Sequence, residues 1–185
     1  MGILVTFSPE LAKVLDVTGE ISAGTAIMAC YAGLSLGDLA SGILSQKLQS
    51  RKKAIAVFLG LNVILVGLYP FIRGVSPLTY YIECSVLGFS IGFWAVFMMI
   101  STELFGTNLR ATASTTAPNF VRGAVVPMTL AMQWLASSYG LLSAVMIIGA
   151  MTLGLALISL FTIEETFGVD LNFIESDGSV IEDNV

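Results

Sequence analysis

Five long apolar runs follow one another along the chain and dominate its pattern of hydrophobic and polar positions. They cover residues 21–45, 54–72, 78–101, 111–136 and 141–163, within a residue or two at each end. Each run is long enough to cross a hydrocarbon core of about 30 Å as an α-helix, which needs about 20 residues. The runs are continuous, whereas a transmembrane β-barrel shows short segments of alternating polarity. The pattern therefore predicts an all-α integral membrane protein with five full transmembrane helices, surrounded by a lipid bilayer.

Short polar connections separate these runs and make neighbouring helices antiparallel. Residues 73–77 read Arg-Gly-Val-Ser-Pro, a turn in which the proline starts the next helix, and residues 137–140 form a tighter turn. Residues 1–14 are apolar but too short to span a bilayer, so we predict a partial helix there. Residues 1–163 then form one transmembrane unit.

Composition supports this assignment, and it separates the tail from the rest of the chain. Hydrophobic residues make up 56% of the chain and charged residues only 11%, against roughly 25% charged residues in soluble domains. Seven of the thirteen acidic residues follow residue 163, so the net charge of −5 describes residues 164–185. We expect this acidic tail to be disordered. No basic patch with interleaved aromatic residues occurs, so nucleic acid is not predicted as a partner.

The positions of Lys and Arg predict how the chain lies in the membrane. The connection of residues 46–53 carries four of the eight basic residues, and that of residues 102–110 carries Arg110. The opposite side has only Lys13 and Arg73. The positive-inside rule places the first two connections, and with them the tail, in the cytoplasm. We expect a multi-pass protein of a bacterial inner membrane.

The sequence offers no signature of an enzyme or of a cofactor site. It contains no histidine, which excludes His-based triads and proton relays, and it has no glycine-rich phosphate loop. Cys30 and Cys84 fall inside apolar runs and are expected to be small core residues. We predict neither enzymatic activity nor a bound metal or cofactor.

Three local patterns carry a resemblance to a known family. Residues 37–42 (Gly-Asp-Leu-Ala-Ser-Gly) lead to the basic cluster of residues 50–53. Residues 103–112 (Glu-Leu-Phe-Gly-Thr-Asn-Leu-Arg-Ala-Thr) continue with Asn119, Arg122 and Pro127. Residues 164–171 read Glu-Glu-Thr-Phe-Gly-Val-Asp-Leu and close the last apolar run. In this order and spacing they resemble the C-terminal half of a major facilitator superfamily transporter, of the branch that carries sugars and organic acids.

The resemblance departs from the family pattern at three points. Gln46 and Lys47 stand where the family has Asp-Arg, and Asp38 lies two turns deeper in the membrane. Gly106 replaces a proline in the second pattern, and Glu164 replaces a proline in the third.

What the resemblance implies is a half-bundle of six helices that works with a second half. It implies secondary active transport of a small polar or anionic solute by alternating access, with a symporter as one form. On this mapping the chain starts inside a helix. We therefore expect a fragment, a truncated reading frame, or a half that needs a partner chain. The alternative is a truncated or regulatory membrane subunit without transport activity of its own.

Two ionisable residues inside apolar runs are candidates for solute binding or coupling. Arg122 lies near the middle of the fourth run, where its guanidinium either faces a central cavity or forms a buried ion pair with a neighbouring helix. Asp38 lies in the first run. It either carries a coupling proton or pairs with a helix N-terminus or with a base across the interface between the halves.

The remaining candidates lie outside the centres of the apolar runs, enter through the family pattern, or belong to a predicted cytoplasmic gate. Asn119 enters through the family pattern. Glu83, near the outer end of the third run, either reaches water or takes part in outer gating. Glu103 and Arg110 flank one cytoplasmic connection and are expected to form an ion-pair latch. Lys47 and Arg51 are the other basic residues within reach of that latch.

Overall fold

The computed structural model describes residues 2–172, 174–176 and 179–181, and α-helices occupy most of this range. The helices are α1 (Gly2–Thr6), α2 (Ser8–Val14), α3 (Ala23–Leu48), α4 (Arg51–Leu68), α5 (Pro77–Ser90), α6 (Trp94–Glu103), α7 (Arg110–Gly123), α8 (Val125–Tyr139) and α9 (Leu141–Thr162). A 3₁₀ turn (Tyr69–Phe71) extends α4, and the tail contains a hairpin of two antiparallel strands, β1 (Ile174–Ser176) and β2 (Ser179–Ile181).

Within the described residues, four helical stretches are long and apolar enough to cross a membrane. They are Ala23–Leu48, Arg51–Phe71, Pro77–Glu103 and Leu141–Thr162. Their outer surfaces expose large apolar side chains, among them Met28 at 67% and Leu155 at 62%. An apolar surface over most of a chain is unfavourable in water, whereas it is favourable in contact with lipid. The chain is therefore a multi-pass membrane protein built from helices, as the hydrophobic pattern predicts.

The fourth predicted run, residues 111–136, is not one helix in the structure. It is divided between α7 and α8, which meet at Ala124. Pro127 has no N–H to donate to the carbonyl of Gly123 one turn earlier, and its ring crowds that carbonyl. Pro118 removes another such bond inside α7. Each segment is consequently shorter than a full span, and the pair turns where the apolar pattern predicts one continuous helix.

The basic connection predicted at residues 46–53 is mostly helical. α3 continues to Leu48 and α4 begins at Arg51, so only Gln49 and Ser50 connect them. Gln49 adopts a left-handed conformation (φ 48°), and the Ser50 hydroxyl accepts a hydrogen bond from the Lys53 N–H at 3.1 Å. This side-chain cap satisfies one free donor at the start of α4, which lets the helix begin earlier than the apolar run does.

Helices α3 and α5 run parallel and touch backbone to backbone. Gly33 and Gly37 on α3 face Gly88 and Gly92 on the stretch α5–α6. A Cβ atom built on any of these four glycines would lie closer than 3.0 Å to backbone atoms of the other helix. Small residues spaced four apart allow this kind of close approach in membranes. The crossing fixes the position of the middle of α3, and therefore of Asp38.

At the end of the bundle opposite the basic residues 47–53, hydrogen bonds join the helix connections. The Thr18 N–H donates to the Val75 carbonyl at 3.0 Å, and the Tyr81 hydroxyl accepts from the Ser22 N–H at 3.0 Å. The buried hydroxyls of Tyr69 and Tyr80 are 2.8 Å apart. Residues 15–22 and 72–77 thus form one connected cap over this end.

The first part of the tail makes specific contacts and is not disordered as predicted. Residues 164–172 are described and several of them hydrogen bond to the helix ends, as detailed below. Further along, β1 and β2 pair as the antiparallel hairpin, with Ile174 opposite Ile181. Residues 173, 177–178 and 182–185 of the predicted disordered tail lie outside the described residues.

Candidate functional site

A group of polar side chains joins the ends of four helices where the tail leaves α9. We call it the polar clamp, and it consists of Ser45, Ser50, Arg51, Glu103, Glu165 and Thr166. Its centre is an ion pair in which the Arg51 guanidinium lies 3.0 Å from a carboxylate oxygen of Glu103. Their side chains are only 8% and 13% exposed, so the pair is largely shielded from water. A shielded pair needs further hydrogen bonds to offset its lost hydration.

Neighbouring groups supply those further hydrogen bonds. Arg51 also donates to the Ser45 hydroxyl at 2.9 Å, which ties α4 to the end of α3. The buried Thr166 hydroxyl donates to Glu103 at 2.6 Å. The guanidinium carbon lies 5.0 Å from the centre of the Phe167 ring, within the range of a cation–π contact. The tail thus closes over the ion pair and contributes to its stability.

Glu165 fixes the tail to the start of α4. Its carboxylate accepts the backbone N–H groups of Arg51 at 2.8 Å and Lys52 at 3.3 Å, and it hydrogen bonds to the Ser50 hydroxyl. The helix begins with three basic residues, which is unfavourable beside the positive end of the helix dipole. The Glu165 carboxylate offsets that repulsion by placing a negative charge at the free N–H groups.

These contacts change the acidity of Glu165. Its partial burial on its own would raise the pKa. The hydrogen bonds from Ser50 and from backbone N–H groups act against this and prevail, so the pKa of Glu165 is held below its ordinary value. The carboxylate is therefore charged at neutral pH, which is the form that the clamp requires.

Lys52 makes a second connection between α4 and the end of α9. Its ammonium group donates to the carbonyl oxygens of Phe161 at 3.2 Å and Ile163 at 2.9 Å. The last carbonyls of a helix lack partners within it, and a cation there is favoured by the helix dipole. The ends of α3, α4, α6 and α9 consequently meet in one hydrogen-bonded assembly.

Of the predicted gate residues, only Arg51 and Glu103 come together in an ion pair. Arg110 instead donates to the backbone carbonyls of Thr102 at 3.0 Å and Leu171 at 2.7 Å. Among the described residues, Glu103 therefore pairs with Arg51, one of the two further basic residues placed within reach of the latch, and Arg110 does not join the ion pair. Lys47 is exposed and forms no ion pair with any described residue.

Asp38 lies beside a break in the middle of the third membrane-spanning stretch. Residues 91–93 form a turn between α5 and α6, and an Asp38 carboxylate oxygen accepts the Ala95 N–H at 3.1 Å. Ala95 is the second residue of α6, where a helix has free N–H groups. Asp38 thus pairs with a helix N-terminus from the neighbouring helix, which is one of the alternatives stated for it above.

Arg122 and Asn119 lie three residues apart on the exposed face of α7, the spacing that places two side chains on one side of a helix. Neither side chain has a hydrogen-bond partner among residues 2–172. Arg122 follows Arg110 by twelve residues, or about 18 Å along the helix, which is well into the depth of a bilayer. An ion pair of Arg122 with a neighbouring helix is not formed within this described region.

Glu83 is half-buried on α5, one turn after Tyr80. No described group donates a hydrogen bond to its carboxylate. It is remote in sequence from the polar clamp and stands apart from Arg122 and Asp38, which occupy α7 and α3. The structure therefore distributes the predicted residues over several places and does not gather them at one centre.

Several important residues of these sites were missed by sequence reasoning. Glu165 and Thr166 lie in a stretch that the family resemblance picked out, but composition suggested disorder there. Their position directly after an apolar run, opposite a basic helix start, is a signal that could have identified them. Asn62, the sole carboxamide in the second run, was also passed over, and it is buried and hydrogen bonded to Ser90 at 2.7 Å.

No protein-family model, no curated protein and no solved structure matches this chain.

Proposed function

We propose that this chain is one half-bundle of a secondary transporter of the major facilitator type. In this proposal α7 and α8 together make the fourth full membrane crossing along the chain, kinked at Ala124, and a second half packs against their exposed face. The complete transporter moves a small polar or anionic solute by alternating access. The single observation that carries the proposal is the exposed, unpaired Arg122 at membrane depth.

The energetic argument concerns what Arg122 faces. A guanidinium at the centre of a transmembrane helix costs at least about 2.5–3.5 kcal/mol if it faces lipid, and such residues face a bundle interior or a water-filled cavity. On the side of α7 that carries Arg122, the exposed positions one and two turns earlier are also polar, namely Asn119 and Thr115, whereas the adjacent Phe120 and Val121 are exposed and apolar. A face of this composition suits a polar path between two bundles, and the guanidinium provides a site for an anionic group.

The polar clamp supplies the element that an alternating-access mechanism needs on one side. Two conformations that differ by a few kcal/mol are enough for a transport cycle. The Arg51–Glu103 pair and the docked Glu165 hold the ends of four helices together in the conformation described here. Opening this end requires these contacts to separate, so they favour the closed arrangement.

The tail and the basic start of α4 lie at the same end of the bundle, since Glu165 contacts the Arg51 N–H. By the positive-inside rule we assign this end to the cytoplasm of a cell with the protein in its inner membrane. Asp38 is assigned a supporting role at the break between α5 and α6, since its carboxylate is already engaged by Ala95.

The test is solute uptake by the native product in its own membranes, after its mass has been measured with an antibody to residues 175–185. A band near 19.6 kDa directs the search to a partner chain, and a band of about twice that mass identifies one two-half chain. Arg122→Ala is expected to abolish counterflow of small anions, and Arg122→Lys to retain a part of it. Arg73→Ala, an exposed arginine in the connection of residues 73–77, is the matched control and is expected to transport normally.

Unchanged counterflow in the Arg122→Ala variant would refute the proposal. It would favour the second candidate, a regulatory membrane subunit without transport activity. A second result would also refute the proposal and favour the regulatory subunit. It is the absence of uptake by the wild type as well as the variants, in membranes where the product is present and folded.

A further inference from the structure

A cavity lies between the helices of the half-bundle, and its lining contains neither Arg122 nor Asn119. Its volume is about 380 Å³, and its walls come from α1, α4, α8 and α9, from Val121 on α7, and from the turn between α5 and α6. This volume falls within the range of about 300–1,000 Å³ that small-molecule pockets occupy. The walls are almost entirely aliphatic, and no charged side chain lines them.

Two polar side chains, Asn62 and Thr152, interrupt this apolar wall. Asn62 is 4% exposed and lies eleven residues into α4, about 16 Å from its start, so it is near the middle of the membrane. The Thr152 hydroxyl donates to backbone carbonyls of its own helix, at 2.9 Å to Ile148. The Thr152 hydroxyl proton is therefore taken up by a hydrogen bond within α9. Asn62 is then the polar side chain of the lining that remains available for a hydrogen bond to a ligand.

The hydrogen bonds around Asn62 determine which of its atoms is available. The Ser90 hydroxyl donates its proton to the Leu87 carbonyl at 2.7 Å, so it can only accept from Asn62. The Asn62 amide nitrogen accordingly donates to Ser90 at 2.7 Å. The amide oxygen then has no hydrogen-bond donor among the described groups. Asn62 lines the cavity, and its oxygen is not among the fully buried side-chain atoms of the described residues that lack a partner. A ligand in the cavity can therefore supply the missing donor and gain a hydrogen bond.

We infer that this cavity binds an uncharged, mostly apolar small molecule with one hydrogen-bond donor, of the kind represented by a medium-chain alcohol. The apolar walls favour the hydrocarbon body. The absence of a counter-charge in the lining excludes an ionised group. The single free acceptor at Asn62 selects a hydroxyl or N–H over a plain hydrocarbon. This site is separate from the solute path proposed for Arg122, and its test requires no transported solute.

The test uses a photoactivatable octanol that carries a diazirine on its chain, with the labelled residues mapped by mass spectrometry on the full chain in nanodiscs. We expect labelling on α4 and α9 near Asn62 and Gly149, with 1-octanol competing more strongly than n-octane. The Asn62→Leu variant should bind the alcohol about fivefold more weakly, the loss that corresponds to one net hydrogen bond. Its affinity for octane should not fall.

A second pair of variants keeps the test valid if the Asn62→Leu variant does not fold. A Cβ added at Gly149 would lie 3.6 Å from the Val66 side chain, an ordinary contact, and a larger side chain there would fill the cavity. Gly149→Leu is therefore expected to abolish labelling near Asn62. Gly154→Leu changes the same helix at a position where a Cβ meets nothing within 4 Å, and it should label normally.

Three results would overturn the inference. The first is labelling spread over lipid-facing residues with no focus on the cavity. The second is labelling near Asn62 that survives the Gly149→Leu substitution. The third is equal competition by octanol and octane, which would remove the role assigned to the Asn62 oxygen.

Discussion

Removal of the Glu165 carboxylate tests how the tail is held. In the Glu165→Ala variant, the first N–H groups of α4 lose the acceptor that now lies 2.8 Å from Arg51 and 3.3 Å from Lys52. The loss is comparable to that of a helix N-cap, which costs about 0.5–2 kcal/mol. Since Glu165 is exposed, solvent screening places the expected value near 1 kcal/mol, or about a fivefold fall in the ratio of docked to undocked tail.

The assay is the mobility of a nitroxide attached at position 169, read by electron paramagnetic resonance. Val169 is exposed and lies four residues after Glu165, so a label there reports docking without contacting the clamp ion pair. Cys30 and Cys84 are buried and can be replaced by alanine to leave one labelling site. Glu165→Ala should increase the mobile fraction.

The matched control is Glu164→Ala, which removes the same charge from the preceding exposed residue. Glu164 forms no hydrogen bond or ion pair in the described part of the chain, so its loss should leave the label as immobile as in the wild type. Equal effects of the two substitutions would show that net tail charge holds the tail, and would refute the specific role of Glu165. No effect of either would refute docking altogether.

The pH dependence of the same signal follows from the sign of the pKa shift. The pKa of Glu165 is lowered in the folded state, so its contribution is complete above the ordinary value and is lost as the pH falls through the folded value. The label in the wild type should therefore stay immobile down to the ordinary glutamate range and become mobile as the pH falls below it. Glu165→Gln should show a smaller change over this range, since position 165 no longer titrates.

Three further substitutions test other parts of the structure. Gly33→Ala should destabilise the protein by about 1–3 kcal/mol in unfolding by sodium dodecyl sulfate, since its Cβ would overlap the neighbouring backbone, whereas Gly42→Ala has open space and should be neutral or stabilising. Arg51→Lys should raise the mobility of the tail label, because one ammonium cannot reproduce the fork of contacts that the guanidinium makes. Asp38→Ala should speed hydrogen exchange at the Ala95 amide by about fivefold, while Asp38→Asn keeps an acceptor and should exchange nearly as slowly as the wild type.

Hydrophobic run length predicted the four membrane-spanning stretches well, since length and apolarity are the physical requirements for crossing a bilayer. The same criterion merged α7 and α8 into one helix, because Pro127 interrupts the backbone without lowering the apolarity of the run. The close contact between Gly37 and Gly92 could not be read from one sequence. A glycine in an apolar run fits several helix faces, and the partner helix decides which one matters.

For the candidate site, sequence reasoning selected Arg51 and Glu103 but left open whether Arg110, Lys47 or Arg51 is the partner of Glu103. Arg110 is closer to Glu103 along the chain, yet nearby backbone carbonyls satisfy its donors. The start of α4 brings Arg51 to the carboxylate instead. The basic side chain that pairs with Glu103 is determined by where the helices begin. Patterns in a single sequence locate such boundaries only within a few residues.

The glycine crossing has a mechanical consequence for the bundle. Two helices in backbone contact cannot slide or tilt against each other without opening a gap or a clash, so α3 and α5 must move as a single rigid body. α7 and α8, by contrast, contact chiefly their chain neighbours α6 and α9 and bend at Ala124. We therefore expect movement between conformations to be largest in the segment that carries Arg122, whereas Asp38 should move together with α3 and α5.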